Sequence, residues 1–285
     1  MAEAATAGHA LASNRRVRFG GAVAGLLVLV ALAAPVLAPR DPLEQDLLYA
    51  LLPPFWAAGA EPGYWLGTDS PGRDVLSRLI YGARVAVAVA VIAASLAALV
   101  GTVLGLVAGF FGGWVDAVVS RLVEIWMAFP PVLLLIVLVA VIGAGLHAVI
   151  IAIVVIDWTR FCRVVRAEVL VQRRQDCVAS AVTIGLGRLG ILVREALPNV
   201  VPLLLVLLTL EMGIAMIVEA ILSFVGLSVS SDFPTWGGLI AEGRQVIYQA
   251  WWIMALPIGC LIVAVLGLNA LGDGLRDALD PVLRR

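Results

Sequence analysis

Six apolar runs, near residues 20–38, 84–110, 121–143, 146–166, 200–228 and 251–272, set the solvent in which this chain folds. Each is long enough to carry an α-helix across the hydrocarbon core of a bilayer, which takes roughly 20 residues. Of the 285 residues 62% are hydrophobic and the mean hydropathy is +1.05, whereas a soluble domain of this size is nearer half apolar. The chain reads as an all-α polytopic membrane protein with about six transmembrane helices. The fourth run is the weakest, because arginines crowd its second half, and a five-span reading stands beside the six-span one.

The net charge of -1 gives no reason to expect a nucleic-acid partner; the distribution of charge says more. Every basic residue is arginine, which with the Ala/Val/Leu/Gly bias points to a GC-rich bacterial genome. Arg15, Arg16 and Arg18 precede the first run, seven arginines from Arg160 to Arg194 crowd the segment between the fourth and fifth, and Arg276, Arg284 and Arg285 close the chain. Six spans put all of them on one side, and arginine excess marks the cytoplasm. Both termini and residues 159–198 are then expected in the cytoplasm of a bacterium, with the chain multi-pass in its inner membrane. The loop from Pro39 to Gly82, with Asp41, Glu44, Asp46, Glu61, Asp69 and Asp74, is expected outside. The first run resembles a signal peptide that ends in APVLAP, but its core is long for that and Pro39 follows the small-residue site. It is read as a retained anchor. The expected division is 1–82, the first helix and outer loop, and 83–285, a five-helix domain.

Within the spans a few residues stand out. Gly101, Gly105, Gly109 and Gly113 recur every four residues and line one helix face, so another helix of this chain, or of another subunit, can approach closely. Glu211 and Glu219 fall in the fifth run; a carboxylate at that depth must face protein or water. Either glutamate borders a translocation path, or it pairs with an arginine or ends a helix. Their separation, roughly 12 Å of rise and 80° of azimuth on a helix, lets both border one cavity. Asp273 is expected to be solvated or to end the last helix. Trp56, Trp65, Trp114, Trp126, Trp236, Trp251 and Trp252 read as interface markers. Cys162, Cys177 and Cys260 lack CxxC spacing, and His9 and His147 lack ligand neighbours, so no disulfide framework, metal site or catalytic triad is expected.

Between the fourth and fifth runs lie about 40 residues, more than an idle connection needs. Arg160, Arg163 and Arg166 fall at helical spacing, so the fourth span continues out of the membrane as an amphipathic helix. CVASAVTI follows as a short helix of small residues, with Gly185 at a C-terminal cap position. LGRLGILVREALP returns to the membrane, and Pro198 marks the start of span five. Small side chains on a short helix between two descending helices leave room for another protein.

This segment resembles the EAA loop of bacterial ABC importer permeases: E-A-A, three residues, G, nine residues, I-x-L-P. Ala179, Ser180 and Ala181 stand for E-A-A, followed by Gly185, and Glu195, Ala196, Leu197 and Pro198 stand for the last element. Alanine replaces the family glutamate at 179. WLGTDSPGRDVLSRLIYGAR (65–84), FFGGWVDAVVSRLVEI (110–125), EAILSFVGLSVSSDFPTWGGLIAEGR (219–244) and LGDGLRDALDP (271–281) are similar to the C-type permease of dipeptide/oligopeptide importers of the peptide/nickel class. Ser228 and Gly238 depart from it.

The resemblance implies a type I ABC importer permease fold with a cytoplasmic coupling helix. It implies four kinds of partner beyond the lipid bilayer and this chain: a second homologous permease, two ATP-binding subunits, an extracytoplasmic substrate-binding protein, and the peptide substrate. Ala179, Ser180, Ala181, Gly185, Leu197 and Pro198 would couple this chain to the ATPase. No cofactor is expected in this chain, and it is not expected to be an enzyme. ATP and Mg would be bound by the partner ATPase subunits, because a phosphate-binding loop needs a lysine and this sequence has none. The competing readings are an ion-coupled secondary transporter using Glu211 and Glu219, an importer of a non-peptide substrate such as nickel chelates, and a membrane-embedded enzyme.

Overall fold

The computed structural model describes residues 14–175, 187–228 and 233–279. Its helices are α1 (Arg15–Leu37), α2 (Val75–Phe111), α3 (Gly113–Met127), α4 (Pro131–Ile142), α5 (Leu146–Gln172), α6 (Arg188–Ile191), α7 (Leu197–Phe224), α8 (Trp236–Gln245) and α9 (Trp252–Leu279). A 3-10 turn at Leu47–Tyr49 lies in the loop before α2, and a π-helical turn, Leu192–Ala196, joins α6 to α7. Among the described residues the only β pairing is an isolated bridge between Thr68 and Asp74.

The helix ends have local causes. Asn14 caps α1 by accepting from the Arg16 amide at 2.9 Å, and Asp74 caps α2 by accepting from the Ser77 amide at 2.7 Å. Each satisfies an amide that the first turn leaves free. α2 has 37 residues and so rises about 55 Å, well beyond the roughly 30 Å of a bilayer core. It begins at Val75, so the last eight residues assigned to the outer loop are its first turns. Its far end, at Gly112, lies beside Arg173, where a Cβ on Gly112 would sit 3.2 Å from the guanidinium. The 39–74 loop and the chain flanking residues 176–186 are therefore at opposite ends of the molecule.

Four described helices or helix runs are long and apolar enough to cross a membrane, and five if one bent pair counts as a span. The span expected at 121–143 is that pair: α3 and α4 meet at 90°. Pro130 precedes α4 with φ -60 and ψ 119, an extended conformation, and the residue before a proline is kept out of the helical region. The Trp126 indole donates to the Val155 carbonyl at 2.5 Å and fixes α3 on α5. The expected fourth span forms as the single helix α5, but Asp157, Arg160, Arg163, Arg166 and Glu168 leave its second half too charged for a lipid-facing helix. α9 runs to Leu279, so Asp273 is exposed within a helix and does not end it.

The core has two large apolar clusters. One gathers α2, α8 and α9 around Leu79, Ala83, Trp236, Leu239 and Ile253. The other gathers α2, α4, α5 and α7 around Val89, Val139, Ile153, Ala215 and Leu222. Trp236 and Trp252, expected at an interface, are buried in the first cluster, and the Trp236 indole donates to the Leu79 carbonyl at 3.0 Å. Trp56, Trp65, Trp114 and Trp251 are exposed.

Candidate functional site

Residues 176–186 lie outside the described residues, and with them Ala179, Ser180, Ala181 and Gly185. The two arms that hold the segment are described. The first is α5, buried through Ala152, Ile156, Phe161, Val165 and Val169. The second runs from α6 through the π turn into α7. Leu197 and Pro198 open α7. Proline has no N–H, so the Arg194 carbonyl loses the donor that an α-helix would supply, and the turn widens. The Leu197 amide reaches back to the Leu192 carbonyl, and the Asn199 side chain donates to the Glu195 carbonyl at 2.8 Å. Pro198 thus marks a change of pitch within a continuous path, at the place where the sequence expected a return to the membrane.

The arms are fastened at three points. Gly101, Gly105 and Gly109 of α2 press against α5: an added Cβ would come within 2.5 Å of the Phe161 Cβ, 2.7 Å of the Cys162 carbonyl oxygen and 2.9 Å of the Val169 Cβ. The glycine face packs inside this chain. Gly113 is not part of it, since α2 has ended and nothing lies within 4 Å of an added Cβ there. Arg166 of α5 forms a two-pronged ion pair with Asp116 of α3, one prong at 2.7 Å between Nη2 and Oδ2. Arg160 of α5 donates to both oxygens of Glu211 on α7, at 3.2 and 3.1 Å.

Glu211 therefore faces an arginine of the neighbouring arm, with buried Asp157 one turn before Arg160. Glu219 has a different environment. It is 1% exposed and accepts from the Ser223 and Ser228 hydroxyls at 2.5 and 3.2 Å. Ser228 in turn accepts the Gly145 amide at 3.0 Å, so Glu219 ties the end of α7 to the turn before α5. The two glutamates have separate partners and do not converge. Near residues 176–186, a groove of about 780 Å³ opens between α5, α7 and α9, lined among others by Glu168, Gln172, Pro198, Val206 and Arg276.

Sequence reasoning missed a second charged cluster, at the opposite end. Asp69, fully buried, accepts from the Arg73 amide and the Arg73 Nε, both at 2.8 Å, and pairs with Arg78. Arg73 and Arg78 both reach Glu242 of α8, at 3.0 and 2.5 Å. Burial alone would raise the Glu242 carboxyl, but hydrogen bonds and charge from Arg78 and Arg73 outweigh it and hold the carboxyl below its usual range. The signal was in the sequence as charged pieces of GTDSPGRDVLSR and AEGR, but their separation by more than 160 positions hides the pairing. Among the described residues no group of His, Cys, Asp and Glu has the arrangement of a metal site.

Residues 101–285 match the binding-protein-dependent transport system inner membrane component family, and residues 5–54 match the N-terminal TM domain of oligopeptide transport permease C. The chain belongs to the binding-protein-dependent transport system inner membrane component family. This permease is 39% identical over 269 residues to the di/tripeptide transport system permease protein DppC of Pseudomonas aeruginosa (strain UCBPP-PA14), covering 93% of this chain and 89% of that one. It is 40% identical over 270 residues to the dipeptide transport system permease protein DppC of Escherichia coli (strain K12), covering 93% and 90%. Its fold matches a chain of the MetNI methionine ABC transporter, solved in inward facing conformations, with a TM-score of 0.61 at 19% identity, over 71% of this chain and 97% of the other. The permease is thus a multi-pass transport component of the inner membrane with the all-helical ABC permease fold.

The pairing of the arms has a direct consequence. A double-mutant cycle on Arg160→Gln and Glu211→Gln should give a coupling energy of about 1–2 kcal/mol, between the values for exposed and for buried pairs. The measurement is thermal unfolding of the purified permease. Additive effects of the two substitutions would show that the arms are not joined there.

Proposed function

We propose that this permease forms, with a second homologous permease chain, the translocation path of an ATP-driven importer of di- and oligopeptides. Residues 159–198 form its coupling element, with Ala179, Ser180, Ala181 and Gly185 seated against an ATPase subunit and Leu197 and Pro198 at the root of the returning arm. ATP and Mg are bound and ATP is hydrolysed on two separate ATPase subunits, and an extracytoplasmic binding protein delivers the peptide. The observation that carries this reading is the cross-bonding of α5 to α7 by Arg160 and Glu211. A displacement at the connecting segment then moves both arms together, as alternating access requires of a rigid lever. The peptide class rests on the named activities of the relatives. Glu211 borders the path only as a paired residue, and Glu219, satisfied by two serines, acts as a fastening. This pairing gives no support to an ion-coupled mechanism through either carboxylate.

Both termini face the cytoplasm in this reading, and the 39–74 loop faces the binding protein. A single cysteine at exposed Ser70, in a cysteine-free background, should react with an impermeant thiol reagent in intact cells, and one at Ser180 should not. The reverse pattern would invert the orientation. The function itself is tested by reconstituting the permease with its partner permease, ATPase subunits and binding protein in vesicles. Uptake of a labelled dipeptide should require ATP and the binding protein. ATP-dependent uptake of a nickel chelate with no uptake of any di- or oligopeptide would overturn the substrate class.

A further inference from the structure

The loop between α1 and α2 is a built structure. The Thr68 hydroxyl accepts the Leu52 amide at 2.8 Å and donates to the Tyr49 carbonyl. The Phe55 amide donates to the Trp65 carbonyl at 3.1 Å. Gly72, at φ +81, lies so close to Asp46 that a Cβ would meet its carbonyl carbon at 2.6 Å. This framework encloses a cavity of about 180 Å³. Its wall carries five carboxylates, Asp41, Glu44, Asp46, Glu61 and Asp74, against the single guanidinium of Arg40.

Asp74 sets this cluster apart from an ordinary acidic surface. It is 2% exposed, and its Oδ2 is used by the Ser77 amide and hydroxyl, both at 2.7 Å. Its Oδ1 is buried and takes no hydrogen bond from any described residue. A buried carboxylate oxygen without a donor is costly, and Asp74 is one of the residues that line this cavity rich in negative charge. The charge calls for a cation. The carboxylates do not converge as metal ligands do, so a bare ion would leave most of them out of reach. Two aromatic rings complete the wall: Tyr49 and Tyr64, with centroids 5.3 Å apart. The Arg40 guanidinium already lies over the Tyr64 ring, 4.2 Å from its centroid, a cation–π contact of the kind an aromatic wall offers to an organic cation. Burial raises the Tyr64 hydroxyl, Arg40 opposes this, and Asp46 and Glu44 add to the rise, in keeping with the negative field.

We propose that the 39–74 loop carries a binding site for an organic cation of the ammonium or guanidinium class, held by the charge of the cavity's carboxylates, Asp74 among them. The cation comes either from a free molecule or from a side chain of a docking protein. The probe is agmatine, which carries both groups, titrated calorimetrically into the purified permease complex. Saturable binding is expected, weakened by salt because the outer carboxylates are exposed. Asp74→Asn keeps the helix cap, since asparagine caps as well as aspartate, and should weaken binding about tenfold, as loss of one close charge pair does. Glu61→Gln, which is exposed, should weaken it without affecting folding. If the natural cation is a docked side chain, agmatine also lowers the affinity of the complex for its binding protein. If it is a free molecule, agmatine binds and that affinity is unchanged. Both outcomes support the site and are read independently of transport. Absence of saturable agmatine binding, binding unchanged in both variants, or displacement of agmatine by calcium at equal concentration would each overturn it.

Discussion

Gly101→Val should abolish accumulation of folded permease. A Cβ at this position already falls 2.5 Å from the Phe161 Cβ and 2.9 Å from the Cys162 amide. The Phe161 side chain is fully buried and Cys162 is buried, so neither has space to withdraw. The two helices would have to separate along a contact that continues through Gly105 and Gly109. Forcing extra methyl groups into such a contact costs about 3 kcal/mol or more, and the loss of close backbone approach removes the packing on which helix association in lipid depends. Gly259→Ala in α9, where nothing lies within 4 Å of an added Cβ, should be tolerated. The measurement is the yield of monodisperse permease in mild detergent. Wild-type yield for Gly101→Val would mean that α2 and α5 do not pack through this face.

Arg78→Gln is expected to be nearly as damaging, at the other end of the molecule. Arg78 is 4% exposed and joins fully buried Asp69 to Glu242. Removing it leaves a buried carboxylate with Arg73 alone, and breaking such a pair costs about 3–5 kcal/mol. α8 is then held by Arg73, the Trp236–Leu79 hydrogen bond and apolar packing without this buried ion pair, and the permease should unfold at markedly lower temperature. The same cluster predicts a direction for pH. The Glu242 carboxyl is held below its ordinary value in the folded state, so its contribution is present above the unfolded value, about 4.3. That contribution is lost as pH falls through the lower folded value. Thermal stability should decline on acidification below that point, and less steeply in Glu242→Gln. Wild-type unfolding at every pH in these variants would show that the cluster does not stabilise the fold.

The helical membrane fold was legible because apolar runs and arginine asymmetry are local properties, read without knowing what packs on what. The glycine face was legible as a close approach, but its partner was not: α2 and α5 meet across some 60 positions, and only the packed structure selects α5 over another subunit. Pro130 could have been read as a bend, yet its run of apolar neighbours on both sides hid the 90° turn. Glu211 and Arg160 were each visible as costly residues, and a pairing with arginine was among the readings left open. The cluster of Asp69, Arg73, Arg78 and Glu242 was not visible, because its members come from two segments more than 160 positions apart and each looks like an ordinary surface charge.

If residues 159–198 pass ATP-driven movement from separate subunits to α5 and α7, as proposed above, a bulky side chain within the segment should uncouple the complex. The test is ATP hydrolysis by the reconstituted complex, with and without peptide-loaded binding protein, for the wild type and for Ala181→Trp. Loaded binding protein should stimulate the wild-type complex several-fold. Ala181→Trp should reach the membrane and pair with the second permease, yet lose stimulation and transport together. Full stimulation and transport in Ala181→Trp would contradict the assignment of this segment as the coupling element.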